Sequence, residues 1–177
     1  MSQSVGEHEK AKEQLEKSLA IKKEIGDRNG EAHCYTNLGV LYQSVGEYEK
    51  AREHLEKSLA MKKEIGDRDG QANCYNNLGI VYHSVGDYEK AREHQEKALV
   101  IKKETGDRNG EASCYTSLGN VYQSAGDYEN AREHLEKSLV IQKEVGDRNG
   151  EACSYSNLGS LYALIGEYEK TLYYNEK

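Results

Sequence analysis

The sequence predicts an all-α fold in which antiparallel helix pairs stack into a solenoid. Gly26, Gly66, Gly106 and Gly146 each begin a closely similar stretch, and they stand 40 residues apart. Within each stretch apolar residues recur at spacings of three and four, which is the spacing of one helix face. Glycines interrupt this pattern twice in every full stretch. A fixed period of this kind indicates a stacked repeat array without a single closed core.

The period also predicts where the repeats and their helices begin and end. We treat residues 1–177 as a single array: 26–65, 66–105 and 106–145 are full repeats, 146–177 is a truncated repeat, and 1–25 is a partial repeat, mainly a second helix. We expect helices at 7–25, 28–44, 47–65, 68–84, 87–105, 108–124, 127–145, 148–164 and 167–177.

Each full repeat carries two apolar stripes separated by a glycine. In the first full repeat they are Ala32, Tyr35, Leu38, Gly39 and Tyr42 on the first helix, and Tyr48, Ala51, Leu55, Ser58, Leu59 and Ile65 on the second. Gly46 and Gly66 are expected to end helices in the left-handed conformation, and Asp67 is expected to cap the next one. Gly30 is expected to move the start of the first helix toward Glu31.

One glycine in each repeat lies inside the predicted first helix, where glycine costs roughly 1 kcal/mol relative to alanine. These residues are Gly39, Gly79, Gly119 and Gly159. Their recurrence predicts that the paired helix approaches too closely for a Cβ atom. Ala51, Ala91 and Ala131 are the expected opposite side of that contact.

Composition excludes several classes of function. The net charge is −7, whereas a nucleic-acid-binding protein needs a basic stripe. No apolar run approaches the roughly 20 residues of a membrane-spanning helix. Because charged residues follow closely after Met1, we expect no signal peptide. Hydrophobic residues make up 36% of the chain, which is enough for a solenoid because each repeat is covered only by its neighbours.

The cysteines occupy equivalent or adjacent positions of successive repeats: Cys34, Cys74, Cys114 and Cys153. Equivalent residues of stacked helices are about 8–10 Å apart. A disulfide needs Cα atoms within about 7 Å. We therefore expect four small, buried, reduced thiols and a cytoplasmic location.

The sequence offers no pattern typical of an enzyme, a metal site or a cofactor site. GDRDGQ has the wrong carboxylate spacing for a calcium loop, because Gly70 stands only three residues after Asp67. His33 and Cys34 point in different directions on a helix, and the pair does not recur. His54, His94 and His134 are expected on a solvated face. We predict no catalytic residues, no cofactor and no metal.

The stripe residues resemble the signature of the tetratricopeptide repeat. Tyr35, Leu38, Gly39 and Tyr42, followed by Ala51 and Leu55, match its W-x2-L-G-x2-Y and A-x3-F elements, with Tyr in place of Trp and Leu in place of Phe. The resemblance implies a right-handed α–α superhelix. The 40-residue form with GDRxGEA is similar to G-protein-signalling modulators of the LGN/Pins type, and more distantly to kinesin light chain.

In such arrays the first helices line a concave groove that holds an extended segment of a partner protein. The resemblance places the following residues in it: His33, Asn37, Val40, Asn73, Asn77, Ile80, Ser117, Asn120 and Asn157. Thr36 and Thr116 belong to the same register. A side-chain amide offers a donor and an acceptor to a peptide bond. Ser117 interrupts the row of asparagines. The residues at these positions vary between repeats. Such variation is expected of a binding surface, and it is equally expected of solvent-exposed positions that are under little constraint.

The sequence therefore predicts a protein–protein interaction scaffold that is not an enzyme. Its partner is a protein or peptide, with neither nucleic acid nor membrane insertion. Two alternatives stay open. In the first, the array is a structural segment, or one that self-associates through uncapped apolar ends, with no ligand in the groove. In the second, it is a sensor array from a larger signalling protein.

Overall fold

A computed structural model describes residues 3–175, and they are almost entirely helical. The helices are α1 (Gln3–Glu24), α2 (Arg28–Ser44), α3 (Tyr48–Glu64), α4 (Arg68–Ser84), α5 (Tyr88–Thr105), α6 (Arg108–Ser124), α7 (Tyr128–Val145), α8 (Arg148–Leu164) and α9 (Tyr168–Asn175). Consecutive helices are antiparallel, which confirms the predicted all-α fold of helix pairs. We call α2, α4, α6 and α8 the first helices, and α1, α3, α5, α7 and α9 the second helices.

The helix ends lie within one residue of the expected positions for α2 to α8. At the chain ends α1 begins four residues earlier, at Gln3 rather than residue 7, and residues 176–177 of the last predicted helix lie outside the described range. Gly26, Gly46 and Gly66 have positive φ values of 71°, 78° and 74°, the left-handed conformation that glycine adopts without strain.

Gly30 does not delay the first helix, contrary to our expectation, because α2 begins at Arg28. The Asp27 carboxylate accepts a hydrogen bond from the Gly30 backbone N–H at 2.8 Å and caps the helix. A Cβ atom at Gly30 would lie 2.5 Å from the Asp27 Oδ2 and 2.6 Å from the Lys22 Cδ. The glycine is thus needed for space beside the cap.

The chain forms two compact units, residues Met1–Val85 and Gly86–Lys177. In the N-terminal unit the buried core comprises Leu38, Tyr42, Ala51, Leu55, Leu59, Cys74, Leu78 and Val81. In the C-terminal unit one core cluster comprises Ala131, Leu135, Leu139, Leu158, Leu161 and Tyr162, and a smaller one comprises Ala112, Tyr115 and Ile141. Most of these residues come from the predicted stripes, whereas Cys74, Val81, Ile141 and Leu161 lie outside them. Ile65, which we expected in the second stripe, is 40% exposed because it follows the last turn of α3. Each core lies between paired and successive helices.

Two of the four internal glycines, Gly39 and Gly119, lie at a close contact with the paired helix as expected. A Cβ atom at Gly39 would lie 2.6 Å from the Leu55 Cγ and 3.2 Å from the Ala51 carbonyl oxygen. Gly119 has the same relation to Leu135 and Ala131. Each of these glycines on a first helix therefore faces a leucine side chain and an alanine backbone on the second helix. The small alanine side chain lets the two helices come this close.

Two expectations about polar residues are wrong. Cys153 is exposed, whereas Cys34, Cys74 and Cys114 are buried as expected. In the last repeat the order of the two residues is reversed, and Ser154 takes the buried place instead, at 0% exposure. His54 is half-buried rather than solvated, because its ring packs 5.1 Å from that of Tyr42. His134 packs in the same way at 5.0 Å from Tyr122, and His94 is also half-buried.

Candidate binding surface

The face of α2 opposite its buried stripe is open to solvent. The stripe buries Ala32, Leu38 and Tyr42, and residues about half a turn away from it on the helix surface are exposed. His33, Asn37 and Val40 are exposed, with Val40 at 43%. Spacings of four and three residues place these three side chains in one row along the helix.

The corresponding row on α4 is partly covered. Asn73 is exposed, while Asn77 and Ile80 are half-buried. The helices α2 and α4 contact each other within the N-terminal unit. The Thr36 hydroxyl of α2 lies 3.8 Å from the Cys74 thiol of α4. Asn37 and Asn73 are the chain neighbours of these two residues, so the two rows border one seam.

In the C-terminal unit α6 and α8 contact each other in the same way. Asn120 of α6 is exposed, whereas Ser117 of α6 and Asn157 of α8 are half-buried. The exposed thiol of Cys153 lies on α8 four residues before Asn157 and therefore belongs to the same row. Sequence reasoning expected this thiol to be buried. The signal that could have shown its exposure is the order of residues 153 and 154, which is Cys-Ser here and Ser-Cys at the equivalent positions of the third repeat.

The side-chain amides of this surface have their hydrogen-bonding capacity available. Within residues 3–175, the side chains of Asn37, Asn77 and Asn157 make no hydrogen bond to another protein group. Each amide group can donate two hydrogen bonds and accept two more. Water satisfies exposed amides, and a peptide backbone offers the same donor and acceptor in a fixed geometry.

Thr36 and Thr116 serve the interior rather than the open surface. The Thr36 hydroxyl lies 2.7 Å from that of Ser58 on α3, and the Ser58 hydroxyl donates to the Ala32 carbonyl at 2.8 Å. Thr116 and Ser138 repeat this arrangement at 2.8 Å. The Cys74 thiol donates to the Ser58 hydroxyl at 3.4 Å, which links three helices. We therefore remove both threonines from the set of ligand-facing residues.

A paired carboxylate borders the surface at the start of α4. The Lys62 side chain is 4% exposed, and its ammonium group lies 2.8 Å from the Asp67 carboxylate. This hydrogen-bonded ion pair, with the Gly70 N–H and the nearby His33, holds the pKa of Asp67 below its usual value. Lys102 and Asp107 form the equivalent pair at 2.8 Å, and the pKa of Asp107 is lowered for the same reason.

Two cavities lie away from the predicted groove residues. One of 230 Å³ is formed by α1, α2 and α3 and includes Lys12, Tyr42 and Lys50. Another of 440 Å³ lies between α6 and α7 and includes Tyr115, Glu136 and Lys137. The Lys103 and Lys137 ammonium groups lie 5.1 and 5.7 Å from the Tyr115 ring centroid. These contacts occupy the ring in cation–π pairs that stabilise the packing of the helices.

Metal and membrane sites receive no support from the described part of the chain. Its His, Cys, Asp and Glu side chains form no cluster of three or more that would hold a metal ion. None of the described helices combines the length and apolarity needed to cross a membrane.

The helix pairs, the glycine contacts and the open face of the first helices together define a repeat protein of the helix-pair class. The chain belongs to the tetratricopeptide repeat family, whose model matches residues 1–64, 46–104 and 110–177. Repeats of this family are typical of non-enzymatic protein–protein interaction scaffolds. No curated protein shows significant sequence similarity to the chain.

Several solved structures share the fold. BtubC (BKLC) from P. vanneervenii superposes with a TM-score of 0.87 at 24% identity, over 98% of this chain and 72% of that one. A putative kinesin light chain from Podosopora anserina gives 0.78 at 22% identity, over 98% and 86%. A Rap protein complexed with Competence and Sporulation Factor gives 0.76 at 18% identity, over 82% and 41%. At these identities the similarity shows the fold alone.

Proposed function

We propose that the open face of the first helices binds an extended segment of a partner protein. The observation that carries the proposal is the row of side-chain amides on that face, led by Asn37 and Asn77, which form no hydrogen bond within residues 3–175. In the N-terminal unit the binding surface comprises His33, Asn37, Val40, Asn73, Asn77 and Ile80. In the C-terminal unit it comprises Ser117, Asn120 and Asn157.

The spacing of the helices suits an extended chain. Packed helices lie about 8–10 Å apart. An extended segment advances about 3.3 Å per residue. Asn37 on α2 and Asn77 on α4 would therefore hold peptide groups about three residues apart along the ligand. Recognition through the ligand backbone makes the contact independent of the side chains between those points.

The fold comparison supports a ligand of this class. A Rap protein of similar fold is bound to Competence and Sporulation Factor in its solved structure. The finer likeness to modulators of the LGN/Pins type rests on the repeat motif alone, and the comparisons add no support for it. The cytoplasmic location stays a prediction from the cysteines.

The proposal is tested by selecting peptides from a random library on the full chain and measuring their affinity by fluorescence polarisation. Asn37→Ala and Asn77→Ala should each weaken binding about ten-fold, because each removes a hydrogen-bonded amide. Gln14→Ala removes an exposed amide from α1, away from the surface, and should leave the affinity unchanged. Equal affinity for all four proteins contradicts the proposal.

Self-association is a second candidate because apolar side chains are exposed on the terminal helices. Ile21 on α1 is 56% exposed, and Leu172 and Tyr173 on α9 are 64% and 55% exposed. Exposed apolar groups of this kind drive association when they form a patch. Light scattering over a range of concentrations should then show a rising mass, and Leu172→Lys should lower it. A constant mass excludes this function.

A further inference from the structure

The two kinds of helix present surfaces of opposite character. On α3 the exposed residues are nearly all charged, with Ala60 as the exception: Glu49, Lys50, Glu53, Glu56, Lys57, Lys63 and Glu64. On α2 the exposed residues beyond the first turn are His33, Asn37, Val40 and Ser44. Residues 32–44, 72–84, 112–124 and 152–164 contain no Asp, Glu, Lys or Arg, although charged residues make up 31% of the chain.

Two charged groups at the starts of α2 and α4, the helices that carry the surface in the N-terminal unit, are paired with charges of opposite sign. Asp67 is bound to Lys62, whose side chain is only 4% exposed. The Arg28 guanidinium at the start of α2 donates to Glu31 at 3.1 Å and to Glu64 at 2.9 Å. Each of these groups already has a partner of opposite sign, so they attract a charged ligand less than isolated charges would.

A charged ligand side chain would lose hydration on this surface without gaining an ion pair. Desolvating a charge without compensation costs more free energy than desolvating a neutral amide or hydroxyl, which the asparagines can satisfy. Val40 and Ile80 add small apolar contacts beside the amides. Because the surface has no charged side chain to pair with such a ligand, it binds uncharged segments more tightly than charged ones.

We infer that the surface selects an uncharged extended segment, rich in Ser, Thr, Asn, Gln or small aliphatic residues, and rejects segments that carry charges at the contact positions. This inference rests on the proposed function and adds the chemical class of the partner. It also implies that binding depends little on ionic strength, because screening acts on charges.

The experiment compares the sequences and salt dependence of peptides selected on the full chain. Peptides whose binding is weakened by Asn37→Ala and Asn77→Ala, but not by Gln14→Ala, define the ligands of this surface. They should lack Asp, Glu, Lys and Arg at the positions where alanine replacement weakens binding. Their affinity should change less than about two-fold between about 50 and about 500 mM salt.

A designed charge provides an independent measurement. Asn77→Lys adds a cation to the surface, and the peptides selected on this variant should become acidic and salt-dependent. If asparagine-dependent peptides of the unaltered chain are charged and lose about ten-fold in affinity with salt, the inference is wrong while the proposed function stands. If no selected peptide depends on Asn37 or Asn77, the proposed function fails and the inference fails with it.

Discussion

A short loop separates the helices of successive repeats, and one aspartate organises it. Asp107 accepts a hydrogen bond from the Gly110 N–H at 2.8 Å and pairs with Lys102 at 2.8 Å. It therefore caps α6 and binds the end of α5 at the same time. Asp27 and Asp67 do the same in the N-terminal unit, and Gln142 replaces the lysine beside Asp147. The recurring GDRxG segment is explained by this double contact.

Gly110→Ala should destabilise the protein even though alanine favours helices. The new Cβ atom would lie 2.5 Å from the Asp107 Oδ2 and 2.6 Å from the Lys102 Cδ, so the ion pair or the cap must move. We expect a loss of about 1–3 kcal/mol in the free energy of unfolding, measured by urea denaturation. Asn109→Ala, at the exposed neighbouring position, is the control and should have little effect.

Stability should fall in acid through the paired aspartates. The pKa values of Asp27, Asp67 and Asp107 are lowered chiefly by their hydrogen-bonded lysines, so the unfolded chain takes up protons at a higher pH than the folded chain. Their contribution is present above the ordinary value of 3.8 and is lost as the pH falls through the lower folded values.

Asp67→Asn keeps an acceptor for the cap and removes the charge. It should lower stability at neutral pH by roughly 1 kcal/mol and flatten the acid limb of the stability profile. Lys62→Met combined with Asp67→Asn completes a double-mutant cycle by chemical denaturation. A cycle without coupling between the two positions contradicts the proposed pairing.

At the scale of the helix pair, α2 and α3 can approach closely because residue 39 is a glycine and has no side chain. Gly39 of α2 faces Leu55 and the backbone of Ala51, and these contacts leave no room for a methyl group. The Leu55 Cγ would lie 2.6 Å from the new Cβ atom, and Leu55 is fully buried, so either its side chain or the whole helix must shift to admit one.

Gly39→Ala should therefore cost about 1–3 kcal/mol of stability, since overpacking outweighs the gain in helix propensity. Gly6→Ala is the matched control. Gly6 also lies in a helix, and nothing lies within 4 Å of a Cβ atom placed there. That substitution should stabilise the protein by up to about 1 kcal/mol. Thermal melting followed by circular dichroism checks both, and equal shifts would contradict the close contact.

Across the described part of the chain, the solvent exposure of each cysteine shows how well its repeat is covered by neighbouring helices. Burial raises the pKa of the Cys114 thiol to about 11, and Cys74 is fully buried at 0% exposure. Cys34 is 6% exposed, and Cys153 lies open on α8. Thiolates react and buried thiols do not, so the four cysteines should differ in rate.

A thiol reagent should label one cysteine rapidly in the native protein and the other three only as their repeats open. Mass spectrometry of digested protein should identify the fast site as Cys153. Cys153→Ser should remove the fast phase and leave the slow phases unchanged. Rapid labelling of Cys74 would show that the contact of α2, α3 and α4 opens readily.

The sequence alone predicted the helix pairs, their order and nearly all of their boundaries, because closely similar repeats show the packing stripe several times. It also located the close glycine contacts and the aspartate caps, since both depend on neighbours along the chain or on a fixed spacing. The prediction for Gly30 was wrong because a glycine is needed there to leave space for Lys22, a lysine near the end of the preceding helix. Only tertiary structure brings the Lys22 side chain over that glycine.

Tertiary structure also determined which polar side chains are buried and which are exposed to solvent. Thr36 and Asn37 are adjacent and both polar, yet the first bonds to Ser58 of another helix and the second remains open to solvent. The register of one helix on the next determines which of them is covered. In the last repeat the same position is buried, and it holds Ser154 instead of a cysteine, so Cys153 is exposed. Local sequence therefore determines the helices and their stripes. The contacts between helices determine which side chains are left to meet a partner.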